Sequence, residues 1–426
     1  MMRSSIIFKI SDINLFKTQL TFFVSSEHNF CLLDSNESLY SNNELIAGIG
    51  SIDELMNSSD SFNSLAQFHK TTKDWLFGFF AYDLKNEIEN LQSNHFDGIG
   101  FPTIHFFQPR YVFVLNNHTI TILFLSAFDS AQTVTELFDR INSFEAPPIS
   151  SVRLKNIKER TGKSTYIDNV SKILSNIHKG DIYEMNYCIE FFSDHAEIDP
   201  AQVFLKLNNV TKSPFSTFMR SGDKYLICSS PERFLRKEND KIISQPIKGT
   251  IRRGETPRED DDLMQKLKNS DKEKSENVMI VDLVRNDLSR TCTNVQVSEL
   301  FGIYTFNKWH HMISTITGKK QGSFPFTDVI KNTFPMGSMT GAPKIRAMQL
   351  IEQYEDAKRG LYSGAVGYIT PDEDFDFNVV IRSICYNASK NYLSFQVGGA
   401  ITSNSIPEKE YEECLLKAKA IFETLA

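Results

Sequence analysis

Eight short runs of strand character between residues 182 and 402 constrain the fold more than any other feature of this chain. They are IYEMNYCIEF (182–191), YLICSS, KIISQPI, VQVSELFGIYTF, HMISTIT, YSGAVGYIT, FNVVIRSICY and YLSFQVGGAIT. Helical patterns are fewer and irregularly placed, with long ones expected at about 258–290, 343–355 and 408–425. Strands that are not each followed by a helix imply an α+β arrangement, with large sheets packed face to face and helices outside.

The first part of the chain also reads as short strands and loops. RYVFVLNNHTITILFLSA (110–127) is apolar on both sides of Asn116-Asn117, which signals a hairpin. Val134, Leu137, Phe138 and Ile141 then recur at helical spacing. APPISSVRLKN (146–156), with paired Pro, Ser and no periodicity, is the linker candidate. The chain accordingly divides into a β-rich segment 1–148 and a second region 157–426. A marked helix opens the second region, with Ser164 as cap, Ile167, Val170, Leu174 and Ile177 as its stripe, and Gly180 at its end.

Charge and cysteine usage exclude several classes. With 46 Lys plus Arg against 53 Asp plus Glu, the net charge is −7. That balance offers no electrostatic footprint for nucleic acid or an anionic membrane, although a local site can still bind an anion. Apolar runs such as LFGFFAY (76–82) fall far short of the ~20 residues that cross a bilayer. The start, MMRSSIIFKISD, lacks the apolar region and cleavage site of a secretory leader. Six cysteines stand singly, without C-x-x-C, which argues against a zinc site or disulfide scaffold and for a cytoplasmic location.

Two Glu-x-x-Glu pairs carry the strongest chemical signal. Glu273 and Glu276 lie three apart, hence adjacent on a helix. Counting on from Glu276, Met279, Ile280, Leu283 and Val284 fall at +3, +4, +7 and +8, so this carboxylate sits within the apolar stripe. A buried carboxylate needs a cation or a shared proton. Glu410 and Glu413 border a second stripe of Tyr411, Cys414, Leu415, Ala418 and Phe422, after Pro407 in the first turn. Acid pairs at this spacing are ordinarily surface features, but four carboxylates on two helices suit a hard divalent cation such as Mg²⁺.

Other candidates are weaker singly. FPMGSMTGAPKIRAMQLIEQYE holds a Gly-rich turn with Thr340 running into a helix, an anion-friendly end that lacks P-loop spacing. Lys248 lies in SQPIKGTIRRG, and a lysine becomes a nucleophile only when it is desolvated or deprotonated by a neighbour. Glu232 in SSPERF is placed to be a general acid. Of His310 and His311 in KWHHMIST, only one can face inward from a strand. Arg382, within an otherwise apolar strand, calls for a carboxylate partner. Gly398-Gly399 would admit a ligand close to the backbone.

In this order, SPERF, PIKGT, SENVMIVDLVRNDLSR, HHMIST, GSMTGAPKIRAMQLIE, RGLYSGAVGYI, FNVVIRSI and EYEECLLKAKA resemble the chorismate-utilising enzymes. That family includes component I of the anthranilate and aminodeoxychorismate synthases, and the isochorismate and salicylate synthases. The match covers nearly all of 160–426 and extends weakly upstream through GFFAYDLKNEIENL and FFQPRYVF. The resemblance implies a large two-layer antiparallel β-sandwich core with helices on the outside. It also implies Mg²⁺ between the Glu pairs, with Glu276 and Glu413 as direct ligands and Glu273 and Glu410 adjoining. Tyr362 and Arg382 match residues that hold the enolpyruvyl carboxylate of chorismate. Gly398, Gly399 and Thr340 match its backbone and hydroxyl contacts, and His311 the histidine beside the ring.

Two positions carry the resemblance to one branch. Isochorismate-forming members use a lysine base where this chain has Glu184, and anthranilate and isochorismate synthases have Ala where it has Lys248. Lysine there resembles the aminodeoxychorismate synthases, in which it attacks C2 of the ring as the 4-hydroxyl leaves. Ammonia then enters at C4 and expels it, with Glu232 protonating the departing hydroxyl. Glu184 and Glu190 replace commoner Gln or Arg, and Met336 and Ala400 each replace a glycine. No glutamine amidotransferase signature is present, so ammonia is expected from a separate amidotransferase subunit or from solution. No pyridoxal-phosphate lyase segment follows residue 426, so the expected product is aminodeoxychorismate rather than p-aminobenzoate. The alternatives are anthranilate synthase component I and a non-catalytic paralogue that binds chorismate or tryptophan, for which LLDS (32–35) is the candidate segment.

Overall fold

Antiparallel pairing accounts for nearly the whole β structure. The computed structural model describes residues 3–38, 43–147, 152–154 and 156–426. Among them, 20 strands join through hydrogen bonds into one antiparallel sheet network, and helices cover it, so the architecture is α+β as expected. The hairpin is Ile104–Asn116 with Thr119–Phe124. Its two-residue turn is Asn117-His118 rather than Asn116-Asn117; both turn residues have positive φ, 47° and 60°, which suits the right-handed twist of the strands. Thr119–Phe124 alternates half-buried and buried residues, the period expected of a strand with one face on the core.

Strands from both parts of the chain interleave. Asn29–Asp34 pairs with Phe215–Ser221, and Leu76–Phe80 pairs with Ala365–Ile369. The segments 1–148 and 157–426 therefore share one sheet. The linker candidate falls partly on 148–151 and 155, outside the described residues, while Arg153–Leu154 pairs with Ala196–Glu197.

Helix positions follow the apolar stripes with three corrections. Ala131–Asn142 buries Val134, Leu137, Phe138 and Ile141 as predicted. In Lys163–His178 the cap is Gly162, not Ser164, and the buried face is Tyr166, Asn169, Val170, Ile173 and Ile177. Tyr166 packs against the tilted ring of Tyr187 and edge-to-face on Tyr411, and this aromatic anchor turns Ile167 and Leu174 toward the flank. The single helix expected at 258–290 is two, Pro257–Lys268 and Asp271–Ser289, because the Ser270 side chain accepts from the Glu273 amide and caps the second. In Pro407–Leu425 the buried stripe is Tyr411, Cys414, Ala418, Ile421 and Leu425, with Leu415 exposed.

The apolar face of Asp271–Ser289 fixes the functional region. Ile280, Val281, Val284 and Leu288 pack with Phe234, Leu235, Ile316, Met336, Met339 and Tyr362 in one core cluster. Burying each such side chain is worth roughly 1.5–3 kcal/mol, enough to hold this helix against the sheet in a single rotation about its axis. All six cysteines are buried and free. Among the described residues no helix is long and apolar enough to cross a membrane.

Candidate active site

The rotation imposed by that packing carries Glu276 inward. It is only 8% exposed, and its Oε1 has no hydrogen-bond partner. Burial, with the neighbouring Glu184 and Glu273 carboxylates, pushes its pKa up to about 7 against the pull of Lys248 and Lys272. On the C-terminal helix Glu410 is buried, whereas Glu413 is exposed and pairs with Lys417 at 2.8 Å. Burial raises the Glu410 pKa; the Lys417 ammonium lowers that of Glu413. The two acid pairs face one another, since the Lys272 ammonium feels all four carboxylates and Glu273 is repelled by Glu413. One glycine makes room for them: a Cβ on Gly249 would crowd Glu273 Oε2 at 3.1 Å, whereas one on Gly399 would meet Glu410 Oε2 at an ordinary contact distance of 3.5 Å.

These oxygens are the right donors for a hard divalent ion, and the buried, unpartnered Glu276 oxygen is suited to ligate one. Among the described residues no three acidic, His or Cys side chains already converge as a ligand set, so ligation would require side-chain rotation.

Lys248 lies on the strand Ile247–Arg252, beside this acidic face. It is buried and donates to Glu184 Oε1 at 2.5 Å. Burial alone would depress its pKa, but the carboxylates of Glu184, Glu276 and Glu232 outweigh that and leave it raised. Glu232 sits in the bend between Lys224–Ser230 and Arg233–Glu238; Ser338 Oγ donates to its Oε1 at 2.7 Å. Burial lifts its pKa to about 7, against the hydrogen bond from Ser338, so about half of it carries a proton near pH 7.

Both histidines are buried, on opposite faces of their strand. His310 turns to Asp260 and Thr305, at 2.9 and 2.8 Å. His311 shares a 2.9 Å hydrogen bond between Nδ1 and Thr250 Oγ1, and its Nε2 has no partner. Burial, with Arg382 and His310 adding to it, drops the His311 pKa well below the usual value and keeps the ring neutral.

Arg382 lies in a bend between the strands Phe375–Val379 and Ser383–Asn387, not inside a strand, with φ of +51°. A non-glycine residue in that region is uncommon and marks a conformation imposed by its surroundings. The expected carboxylate partner is absent: among the described residues none lies within 4 Å of its guanidinium, which stands over the Trp309 ring at 5.8 Å. Burial lowers its pKa to about 10, with Glu232 opposing. Tyr362 is buried with its hydroxyl 3.7 Å from Cys188 Sγ. The Thr340 hydroxyl donates within its own turn, to Met336 O at 3.2 Å. Gly398 is explained by the adjacent strand Glu184–Ser193: a Cβ there would fall 2.4 Å from Cys188 Sγ. The close approach is made by protein backbone, where the sequence pointed to a ligand.

Sequence reasoning missed three supporting groups. Glu184 is the ion-pair partner of Lys248, 64 positions away, where spacing carries no signal. Arg359 and Glu355 form a buried ion pair; Arg359 also donates to Met339 O and Asn186 O, tying the Gly-rich turn to the Glu184 strand. Their i,i+4 spacing was legible but lay in a segment, EQYEDAKRG, without a clear stripe. Thr250, in PIKGT, orients His311.

The family model for chorismate binding enzymes matches residues 28–423. A probable chloroplastic aminodeoxychorismate synthase from Oryza sativa subsp. japonica is 41% identical over 64% of this chain, and the match spans 31% of that longer protein. An anthranilate synthase component I-like protein from Synechocystis is 34% identical over 82% of this chain and 72% of its own length. The crystal structure of anthranilate synthase component I from Streptococcus pneumoniae superposes with a TM-score of 0.78, covering 93% of this chain and 92% of that one at 24% identity, a likeness of fold.

Proposed function

This chain belongs to the family of chorismate-binding enzymes, and on that footing we propose that it aminates chorismate at C4 with ammonia, giving 4-amino-4-deoxychorismate. In this reading it is component I of an aminodeoxychorismate synthase, and a glutamine amidotransferase subunit supplies the ammonia. The observation that carries the reading is Lys248: a buried amine beside the acid pairs, paired to one carboxylate and close to a proton-bearing Glu232. A lysine held there serves as a nucleophile toward C2, and Glu232 delivers its proton to the departing 4-hydroxyl.

The remaining residues bind and orient. Arg382, free of a carboxylate partner among the described residues, takes the enolpyruvyl carboxylate together with Tyr362. Neutral His311 presents Nε2 beside the ring; Thr340 and Gly398 are engaged by the protein itself, which leaves Gly399 as the glycine beside the acid pairs. Mg²⁺, held by Glu276 and Glu413 with Glu273 and Glu410 beside them, would neutralise the ring carboxylate and withdraw electrons from the diene.

Anthranilate formation is the second reading, favoured by the match to an anthranilate synthase component I-like protein over most of this chain. The deciding experiment supplies chorismate, Mg²⁺ and ammonium, with and without an aminodeoxychorismate lyase. p-Aminobenzoate that forms only with the lyase is the expected result; anthranilate without it overturns the reading. Glutamine should replace ammonium only when an amidotransferase subunit is added.

A further inference from the structure

We propose that Glu184 is the proton acceptor that makes Lys248 a nucleophile, an inference that rests on the Lys248 reading above. Three observations carry it. Glu184 Oε1 lies 2.5 Å from Lys248 Nζ, and both side chains are buried. Among the described residues it is the only carboxylate within 4 Å of that ammonium. Its second oxygen, Oε2, is buried with no hydrogen-bond partner, so the carboxylate is not spent on holding the fold.

Glu232, the other acid near the lysine, is engaged elsewhere, with Ser338 Oγ and the Ile247 amide on its Oε1. The two acids therefore divide the proton work. The Nζ–H bond breaks toward Glu184 Oε1 as the Nζ–C2 bond forms. The ring double bonds shift, the C4–O bond breaks, and the hydroxyl leaves as water with the Glu232 proton. Ammonia then forms the C4–N bond, the double bonds return, and the C2–Nζ bond breaks. Lys248 recovers its proton from Glu184, and the surplus proton of the bound ammonia restores Glu232. The sum is chorismate plus ammonia to the 4-amino product plus water.

Other charges bear on the pair and are common to both forms compared below. Glu273 and Glu276 face it from the helix Asp271–Ser289, Glu413 from the C-terminal helix, and Glu232 from its bend. Transfer inside the pair keeps its total charge constant, so the pair itself adds no pH dependence to the attack, and what dependence there is follows Glu232, which must hold its proton to release the hydroxyl.

The test follows formation of the Lys248 ring adduct by intact-protein mass spectrometry after rapid mixing with chorismate and Mg²⁺, without ammonia, between pH 6 and 9. Leaving ammonia out removes its own ionisation from the profile. Wild type should form adduct at a rate that is level below about pH 7 and falls above it as Glu232 loses its proton. Glu184→Gln should be at least tenfold slower at pH 7, and its rate relative to wild type should rise about tenfold per pH unit, since Lys248 must now lose its proton to solvent. Glu184→Asp, which keeps the carboxylate, should restore the shape of the wild-type profile at a reduced rate. If Glu184 only holds the lysine as a cation, Glu184→Gln frees the amine and adduct appears as fast or faster at pH 7; that result overturns the inference and leaves the Lys248 reading intact. Wild type free of adduct at every pH overturns both. Unchanged thermal melting of the Gln variant with chorismate present separates chemistry from misfolding.

Discussion

Two buried ion pairs lie along the same strand, Glu184–Ser193, and differ in how their oxygens and protons are used. In the Arg359–Glu355 pair, guanidinium nitrogens donate to both carboxylate oxygens, to Met339 O and to Asn186 O, and Glu355 Oε1 also accepts from the Cys188 amide. In the Lys248–Glu184 pair one bond is made and Glu184 Oε2 has no partner. A pair whose every lone pair is satisfied is a fixed joint; a pair with capacity left over can exchange a proton or meet a ligand. The acid-rich face repeats the second pattern, with Glu276 Oε1 left open. Satisfaction of buried polar atoms thus separates architecture from chemistry within about one strand's length.

Mutating the joint should produce the largest stability loss. Arg359→Ala strands a buried Glu355, a change worth about 3–5 kcal/mol, and should lower Tm sharply, together with chorismate binding through the loosened 336–341 turn. A Tm near that of wild type would break the contrast. Lys248→Ala also leaves a buried carboxylate, Glu184, without its one partner and should lower Tm too, but its larger mark is on turnover: 4-amino product formation should fall at least tenfold, since a tethered nucleophile is worth several kcal/mol, roughly. Stopped assays beside a melting curve check both halves.

The open acids give a pH signature of intermediate size. Folding raises Glu232 and Glu276 to about 7, above their unfolded values, so the stability they contribute is complete below the unfolded carboxylate pKa and is lost as pH rises through about 7. Metal-free protein should therefore melt lower at pH 8 than at pH 6. Mg²⁺ should raise Tm more at pH 8, and Glu276→Gln should flatten the dependence and remove most of the Mg²⁺ response. Calorimetry at the two pH values decides it. The smallest effect belongs to Thr250→Val, which frees the His311 ring to turn: turnover should fall several-fold with Tm nearly unchanged, and Thr250→Ser should restore it.

How far the sequence could be read depended on the range of the interaction. Glu276 was legible because its neighbours at +3, +4, +7 and +8 define a buried face, a local periodicity that the core packing enforces. The hairpin was legible within a residue for the same reason. The helix break at Ser270 was present as Ser-x-x-Glu but hidden in a charge-dense run. Glu184 could be flagged only as an unusual residue, because its partner is reached through the sheet rather than along the chain. Arg382 read as a strand residue since no Gly or Pro marks the bend; the residue itself adopts the positive φ.

The interleaving of early and late strands bears on how the protein is made. Leu76–Phe80, LFGFF, is buried throughout and finds one neighbour soon, in Ile104–Asn116. Its other edge waits for Ala365–Ile369. At the usual ribosomal pace of about 5–20 residues per second, that edge stays open for on the order of 15–60 s. An apolar, uncharged strand with an unpaired edge is a template for pairing with another chain. Nascent chains on neighbouring ribosomes are therefore at risk of joining through this strand, and yield in a foreign host should depend on translation speed and chaperone supply more than on the stability of the finished enzyme.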